Sequence, residues 1–365
     1  MNTKQPRKSR RPRRKKNKYP RYLPAIAAVS GITLILSGLW WKTQTSPVAN
    51  AKSATDKEQV KFVVSSGMTG YQIGNKLQEE GLIKSYQAWK LWTLPRHKLD
   101  SQGGFKAGTY LLSPQESLSE IANKIWNGEI MQTTFTIPEG WSIAQMAEYF
   151  ESLEYFSAEE FIAAAEEIPY DKYPWLPQNL PILEGFLYPD TYKITSDRIN
   201  NPQAVIETML DRFQELALPA YDPNQTNLDL LEWVTLSSIV EKEAVVGEER
   251  PLIAGVFAAR LQKGMRLESD PTVEYGLGIR QTADMPLTYK QVGTPSPYNT
   301  YMNSGLPPTP IAAPGIASLK ATLNPESTEY LFFVARYDGT HVFSKTLVEH
   351  EAATRQIRYE RQQQN

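Results

Sequence analysis

The 365-residue chain has no cysteine, and its 39 basic and 40 acidic side chains nearly cancel. This excludes disulfides, thiolate metal sites and a cysteine nucleophile, and the length suits about two domains beyond any tail. The near-zero balance hides an asymmetry: residues 1–22 carry eleven Lys/Arg and no acid, whereas residues 43–365 carry 27 basic and 40 acidic side chains.

Taken alone, KSRRPRRKKNK reads as a nucleic-acid arm. The next segment argues against that, and no nucleic-acid partner is expected. Leu23 to Trp41, LPAIAAVSGITLILSGLWW, is 19 residues without a charge. As a helix it is long enough for a hydrocarbon core of ~30 Å, with Trp40 and Trp41 at the interface. The basic block would hold the N-terminus in the cytoplasm as a tail (1–22). The remainder then lies outside a plasma (inner) membrane, in the periplasmic space, on a single-pass span (23–41). A cleaved signal peptide is the alternative, with SPVANA at 46–51 as a faint cleavage candidate. Residues 42–57 are small and polar and read as a tether.

From Val60 the pattern is that of folded structure. VKFVV alternates as a strand, Ser-Gly turns the chain, and a helix follows with Ile73 and Leu77, ending at Gly81. A second helix carries Trp89, Leu91 and Trp92. FKAGTYLL gives another strand, and a further helix places Leu118, Ile121, Ile125 and Trp126 on one side. This is an α/β module over 58–132. At Thr133 a similar phrase returns, TTFTIPEGWSIAQMAEYFE, again strand, Pro/Gly turn and helix, which hints at an internal repeat. YDKYPWLPQNLP (170–181) marks a boundary or an elaborate loop. Helices are expected over about 202–216, 229–243 and 249–264. The chain then runs through SDPTVEYGLG, a Pro/Gly/Asn-rich loop, a helix ASLKATLN, a strand YLFFVAR with a hairpin partner HVFSK, and a polar tail (356–365).

The helix ending SIVEKEA carries two acids two residues apart, Glu241 and Glu243. Leu236, Ile239, Val240 and Glu243 fall at i, i+3, i+4, i+7, one helical face. Glu241 is turned about 200° from Glu243 and groups with Ser237 and Glu248, toward water. A carboxyl on an apolar face is costly to ionise, so its pKa should rise, as a general acid near neutrality requires. Glu243 is therefore the candidate acid and Glu241 the runner-up. The bland reading is a solvated helix end, or a pair with Arg250 or Arg260. His97, His341 and His350 have no metal-ligand spacing, and HExxH, GxSxG and P-loop patterns are absent; no metal or cofactor is expected.

LEGFLYPDTY, SIVEKEA, VFAARLQKGMRLESDPTVEYGLG, YNTY with GLPPTPIAAPG, and HVFSKTLVEH together resemble the YceG-like family of endolytic murein transglycosylases, over residues 58–355. The resemblance implies an α+β fold: an N-terminal transmembrane helix, a small LysM-like module (58–132), then a mostly helical catalytic domain with flanking strands (133–355). It implies one essential glutamate, which falls on Glu243. It also implies cleavage of the β-1,4 bond from N-acetylmuramic acid to N-acetylglucosamine in nascent peptidoglycan strands. The sugar's own C6 hydroxyl attacks, leaving a 1,6-anhydro end. Relatives often carry Thr or Ser directly after this glutamate, where this chain has Ala244. Candidate cleft residues are Glu184, Tyr188, Asp270, Tyr298, Asn299 and Tyr301. For Glu184 and Tyr188 a buried aromatic turn is the competing reading, and for Asp270 a turn cap. The expected partners are peptidoglycan glycan strands, the membrane and peptidoglycan synthases. Two alternatives stand beside this one: a hydrolytic muramidase, and a glycan-binding scaffold without catalysis.

Overall fold

The computed structural model describes residues 23–49, 59–99, 104–282, 285–336 and 338–364. The expected basic tail and most of the tether lie outside the described residues. The fold is α+β and mostly helical, in two compact units, residues 1–131 and 132–365.

The first unit begins with α1 (Leu23–Thr45), whose Ile26, Val29, Ile32, Leu34, Ile35, Leu36 and Leu39 are exposed. Among the described residues no helix is long and apolar enough to cross a membrane; the side chains of residues 23–25 and 27 are outside that set. β1 (Val60–Val64), α2 (Gly70–Glu79), α3 (Tyr86–Leu99), β2 (Gly108–Leu112) and α4 (Leu118–Asn127) follow. β1 and β2 pair antiparallel, Val64 opposite Gly108. Alternate strand residues Phe62, Val64, Tyr110 and Leu112 face a core shared with Ile73, Leu77, Trp89, Ile121 and Ile125. Thr69 and Ser117 start α2 and α4 with capping boxes to Gln72 and Glu120. Such caps satisfy two otherwise orphaned amides and stabilise each helix by about 1 kcal/mol.

The second unit opens with the same order of elements: β3 (Gln132–Thr136), α5 (Ile143–Ser152), α6 (Ala158–Glu166), β4 (Thr191–Thr195) and α7 (Pro202–Leu216). β3 and β4 pair antiparallel, Thr136 opposite Thr191, and Ser142 and Ser157 cap α5 and α6 through Gln145 and Glu160. The thin sequence repeat thus accompanies a repeated strand–helix–helix–strand–helix order. The second copy holds a larger core, from Phe135, Phe150 and Phe161 to Leu187, Met209 and Phe213.

Against this core lies α8 (Leu230–Glu243), capped by Asp229 with Glu232. It is not one-sided: every residue from Trp233 to Val240 is buried. α9 (Arg250–Gln262), α10 (Asp270–Leu277) and α12 (Ile316–Leu323) enclose it, and the short α11 (Tyr289–Val292) packs on α10. The Trp233 indole N–H donates to Leu319 O at 2.9 Å, the Ser237 and Thr322 hydroxyls meet at 2.7 Å, and Ile311 N–H donates to the Ser238 hydroxyl at 3.0 Å. Three polar side chains of a buried helix thereby find partners, as burial demands. β5 (Phe332–Ala335) and β6 (His341–Ser344) form a terminal hairpin, and α13 (Leu347–Gln364) carries the expected polar tail as helix to residue 364.

The turn LEGF requires its glycine. Gly185 has φ +83°, and a Cβ there would lie 2.4 Å from the Pro310 side chain. Gly185→Ala therefore combines a left-handed backbone with a clash and should destabilise the protein by about 2–4 kcal/mol in urea unfolding. An unchanged midpoint would show that the turn is not held as described.

Candidate active site

The last turn of α8 places three consecutive charged residues in three different environments. Glu243 Oε1 accepts the Ser269 hydroxyl at 2.6 Å. Ser269 is itself buried and fixed: its N–H donates to the Thr300 hydroxyl at 3.0 Å, and the Thr272 hydroxyl donates to its carbonyl at 2.6 Å. Burial pushes the Glu243 carboxyl up to about 7; the Ser269 hydrogen bond and Arg260 oppose this, while the nearby Asp270 and Glu274 add to it. Leu236, Ile239 and Val240, the three expected to share its face, pack in one apolar cluster with Ala244, Phe257 and Leu267.

Glu241 overturns the expectation that it faces water. Its side chain is only 6% exposed, and Arg250 Nη2 lies 3.2 Å from Oε1. Gly315 N–H donates to its Oε2 at 3.1 Å. Ser237, grouped with it on the wheel, is fully buried; only Glu248 of the three is exposed. The wheel treated the helix as having a wet side, but α9 and α12 cover that side. Arg250 thus pairs with Glu241 rather than Glu243, and Arg260 with Glu268 at 3.1 Å.

Lys242, between the acids, lines a cavity of about 630 Å³ together with Ser142, Ile143, Glu184, Tyr275 and Tyr298. Glu243 is not among the lining residues; Lys242 beside it and Pro271, two residues after Ser269, are. Glu184 is 2% exposed, and both its oxygens accept Ile143 N–H, at 3.2 and 3.1 Å, at the start of α5. The Tyr275 hydroxyl donates to Oε2 at 3.1 Å. Burial raises the Glu184 carboxyl to about 7 against these hydrogen bonds. Tyr275 and Tyr298 meet edge to face at 4.8 Å, and the Tyr298 hydroxyl contacts that of Thr309 at 2.9 Å. Two aromatic rings and a fixed carboxyl on one wall suit a sugar face and its hydroxyls.

The other cleft candidates do not line this cavity. Tyr188 belongs to the hydrophobic core, its ring against Phe213, because LEGFLY turns inward at this point. Asn299 is fully buried: its amide donates to Val292 O and Thr294 O, both at 2.8 Å, and its oxygen accepts Tyr301 N–H. With both amide hydrogens and the carbonyl engaged inside a buried loop, it staples that loop and does not face a ligand. Asp270 is the first residue of α10 and caps no turn; its Oδ1 accepts the Tyr301 hydroxyl at 2.7 Å. Burial and Asp270 push that phenol up, so it stays a donor. Asp270 and Tyr301 thus form a pair beside Glu243 rather than a wall of the cavity.

A family model described as YceG-like matches residues 62–356. The chain belongs to the YceG-like family. A Bacillus subtilis protein named endolytic murein transglycosylase is 31% identical over 338 residues, 88% of this chain and 90% of its own. A Streptococcus pneumoniae protein of the same name is 29% identical over 77% of this chain, which spans 55% of that longer protein. The crystal structure of a yceG-like protein from Listeria monocytogenes superposes with a TM-score of 0.52 at 30% identity, covering 82% of this chain and all of that one.

In this family member the hydroxyl on Glu243 comes from Ser269, 26 residues away, and Ala244 is buried in the apolar cluster. Sequence reasoning missed Ser269, Lys242, Tyr275 and Arg280, the last of which also lines the cavity. The string GMRLESDPTVEYG held two of them, but no local pattern marks a serine that will meet a distant acid.

Ser269→Ala removes a hydrogen bond that stabilises the Glu243 anion, so the Glu243 pKa should move above about 7. A carboxyl-labelled NMR titration, with Glu243→Gln as the blank, should show this; a fall or no movement would contradict the geometry. Glu184→Gln tests the second carboxyl through stability. A raised folded pKa stabilises fully below the unfolded value near 4.5 and is lost as pH rises through about 7. The variant should therefore gain on the wild type by about 3 kcal/mol between pH 4.5 and 8, in urea unfolding. Parallel pH profiles would refute the burial penalty.

Proposed function

We propose that this chain is a lytic transglycosylase that cuts peptidoglycan glycan strands internally, at the β-1,4 bond from N-acetylmuramic acid to N-acetylglucosamine. The observation that carries the reading is the Glu243 carboxyl, half-buried beside an apolar cluster, steadied by Ser269 and raised to about 7. At neutral pH a large fraction of it holds its proton, which is what a donor to a glycosidic oxygen needs. Membership of the family, and relatives named for this activity, support the same reading.

In the proposed mechanism Glu243 protonates the leaving oxygen as the C1–O bond breaks, and positive charge develops at C1 and the ring oxygen. The muramyl C6 hydroxyl attacks C1. Its proton goes to the Glu243 carboxylate, which is thereby reset. No second carboxylate is required, because the tethered hydroxyl has a high effective concentration relative to water. The glycosidic oxygen would reach Glu243 at the cavity margin between Lys242 and Pro271, where Glu243 keeps partial exposure. Glu184 is the acid that a hydrolytic muramidase would recruit, since it lines the cavity. Its oxygens are occupied by Ile143 N–H and the Tyr275 hydroxyl, which suits a wall-builder better than a base for water.

The same reading places the chain on a membrane. The charge-free run 23–41, the basic block before it and the exposed apolar side chains along α1 support a single-pass anchor with the remainder outside the cytoplasm. Residues 58–132 would then be a LysM-like module that meets glycan or orients the catalytic unit, and peptidoglycan synthases would be natural neighbours.

Glu243→Gln in the full-length protein should lower the rate of strand cleavage by about 10²- to 10⁴-fold while strand binding persists. Mass spectrometry of wild-type products should show ends lighter by one water than reducing ends. Release of reducing ends would establish hydrolysis instead, and full activity of the Gln variant would remove Glu243 from the chemistry.

A further inference from the structure

Two cations line the cavity that holds Tyr275 and Tyr298: Lys242 and Arg280. Lys242 is half-buried and its ammonium reaches Gly140 O at 3.3 Å, while Arg280 is exposed at the opening. They are close enough to affect one another: burial pushes the Lys242 ammonium down, Arg280 adds to this, and Glu274 and Glu241 oppose it. Glu148, Glu184 and Glu274 line the same cavity; Glu274 accepts Gln281 N–H at 3.2 Å, and Glu184 is held by Ile143 N–H and the Tyr275 hydroxyl. Glu241 is already taken by Arg250. Among the described residues neither Lys242 nor Arg280 is ion-paired, and the Lys242 ammonium contacts only a carbonyl, so both keep donors for an anion that enters the cavity.

Neutral amino sugars do not call for that arrangement. The groups of a peptidoglycan strand that carry negative charge are the carboxylates of the peptide stem, attached through the lactyl ether of the muramyl ring. Lys242 directly precedes Glu243 on the same helical turn. An anion bound there would hang from the very ring whose C1–O bond lies at the acid.

We propose that Lys242 and Arg280 form a carboxylate subsite for the peptide stem of the muramyl residue being cleaved, with Arg280 supplying a planar two-point contact. The inference rests on the transglycosylase reading and extends it: the enzyme reads the stem's charge as well as the sugar. Guanidinium is suited to this, since its N–H groups match both carboxylate oxygens, and a charge-assisted contact survives at a partly solvated mouth.

The test compares un-crosslinked strands with free stem carboxylates against the same strands after carbodiimide coupling to ammonia, which changes charge and little else. For the full-length wild-type protein kcat/KM should be about tenfold higher on the free carboxylates, the worth of one charge-assisted contact. Arg280→Met should bring that ratio close to one, and Arg280→Lys should restore part of it. Arg280 is exposed, so these variants should fold, and Lys242→Met provides a second reading of the same ratio. A wild-type ratio near one, or a ratio unchanged in Arg280→Met, overturns the subsite while leaving strand cleavage established. A wild-type protein that cuts neither substrate overturns the transglycosylase reading and the subsite with it.

Discussion

The arrangement depends on a helix that is buried all round and yet ends in ionisable groups. α8 is enclosed by the aromatic core on one side and by α9, α10 and α12 on the others. A carboxyl carried into such surroundings loses its hydration, and only a hydrogen bond or a proton can compensate. At Glu243 the single Ser269 hydroxyl compensates only in part, and the carboxyl rises to about 7. A stronger partner would abolish the shift: had Arg250 reached Glu243 instead of Glu241, burial would have produced an ion pair and no acid.

That partition is set by features well away from the helix end. Gly315 lets its chain pass so close to the Glu139 carboxyl that a Cβ would lie 1.9 Å from it, and its N–H holds Glu241. Gly140 N–H donates to Ala313 O and Ala313 N–H to Trp141 O, both at 2.8 Å. The IPEGW and IAAPG loops are thus stitched together beside the last turn of α8. Their backbone groups take Glu241 and Lys242, leaving Glu243 to the serine on the far side. Glu184 is treated in the same manner, with a helix N-terminus and a phenol as its donors.

Much of this was legible where the cause is local. α7 and α8 occupy the expected spans because Asn201 and Asp229 are caps and the apolar spacing that follows is helical. The repeated phrase at 133 was faint as identity, but the Ser142–Gln145 box and the turn before it preserve the structural grammar of Thr69–Gln72. What failed was nonlocal or ambiguous in kind. β4 pairs with β3 across 55 residues, between Thr136 and Thr191, and TYKIT alone does not announce that. Asn299 looked like an amide free for a sugar, yet its loop supplies two carbonyls that consume it. An Asn in a Pro/Gly-rich loop makes such local bonds far more readily than a sequence can reveal. Helical spacing grouped Leu236, Ile239 and Val240, which do share one apolar cluster, but left Glu241 and Ser237 in water, because such spacing assumes one dry face.

The run Glu241-Lys242-Glu243 shows why that assumption matters. On a solvated helix end, such a triplet would be a trio of exchangeable surface charges with little energetic consequence. Here successive residues, about 100° apart around the axis, meet three separate walls: Arg250 with Gly315, the cavity, and Ser269. Each charge is compensated to a different degree, fully for Glu241, partly for Lys242 and least for Glu243. A gradient of compensation over three residues yields a fixed anion, a cation at the cavity and a carboxyl that can carry a proton. Register therefore governs the chemistry more than residue type does: a one-residue slip of α8 would leave the composition of the turn unchanged and exchange an ion-paired carboxylate for the acid.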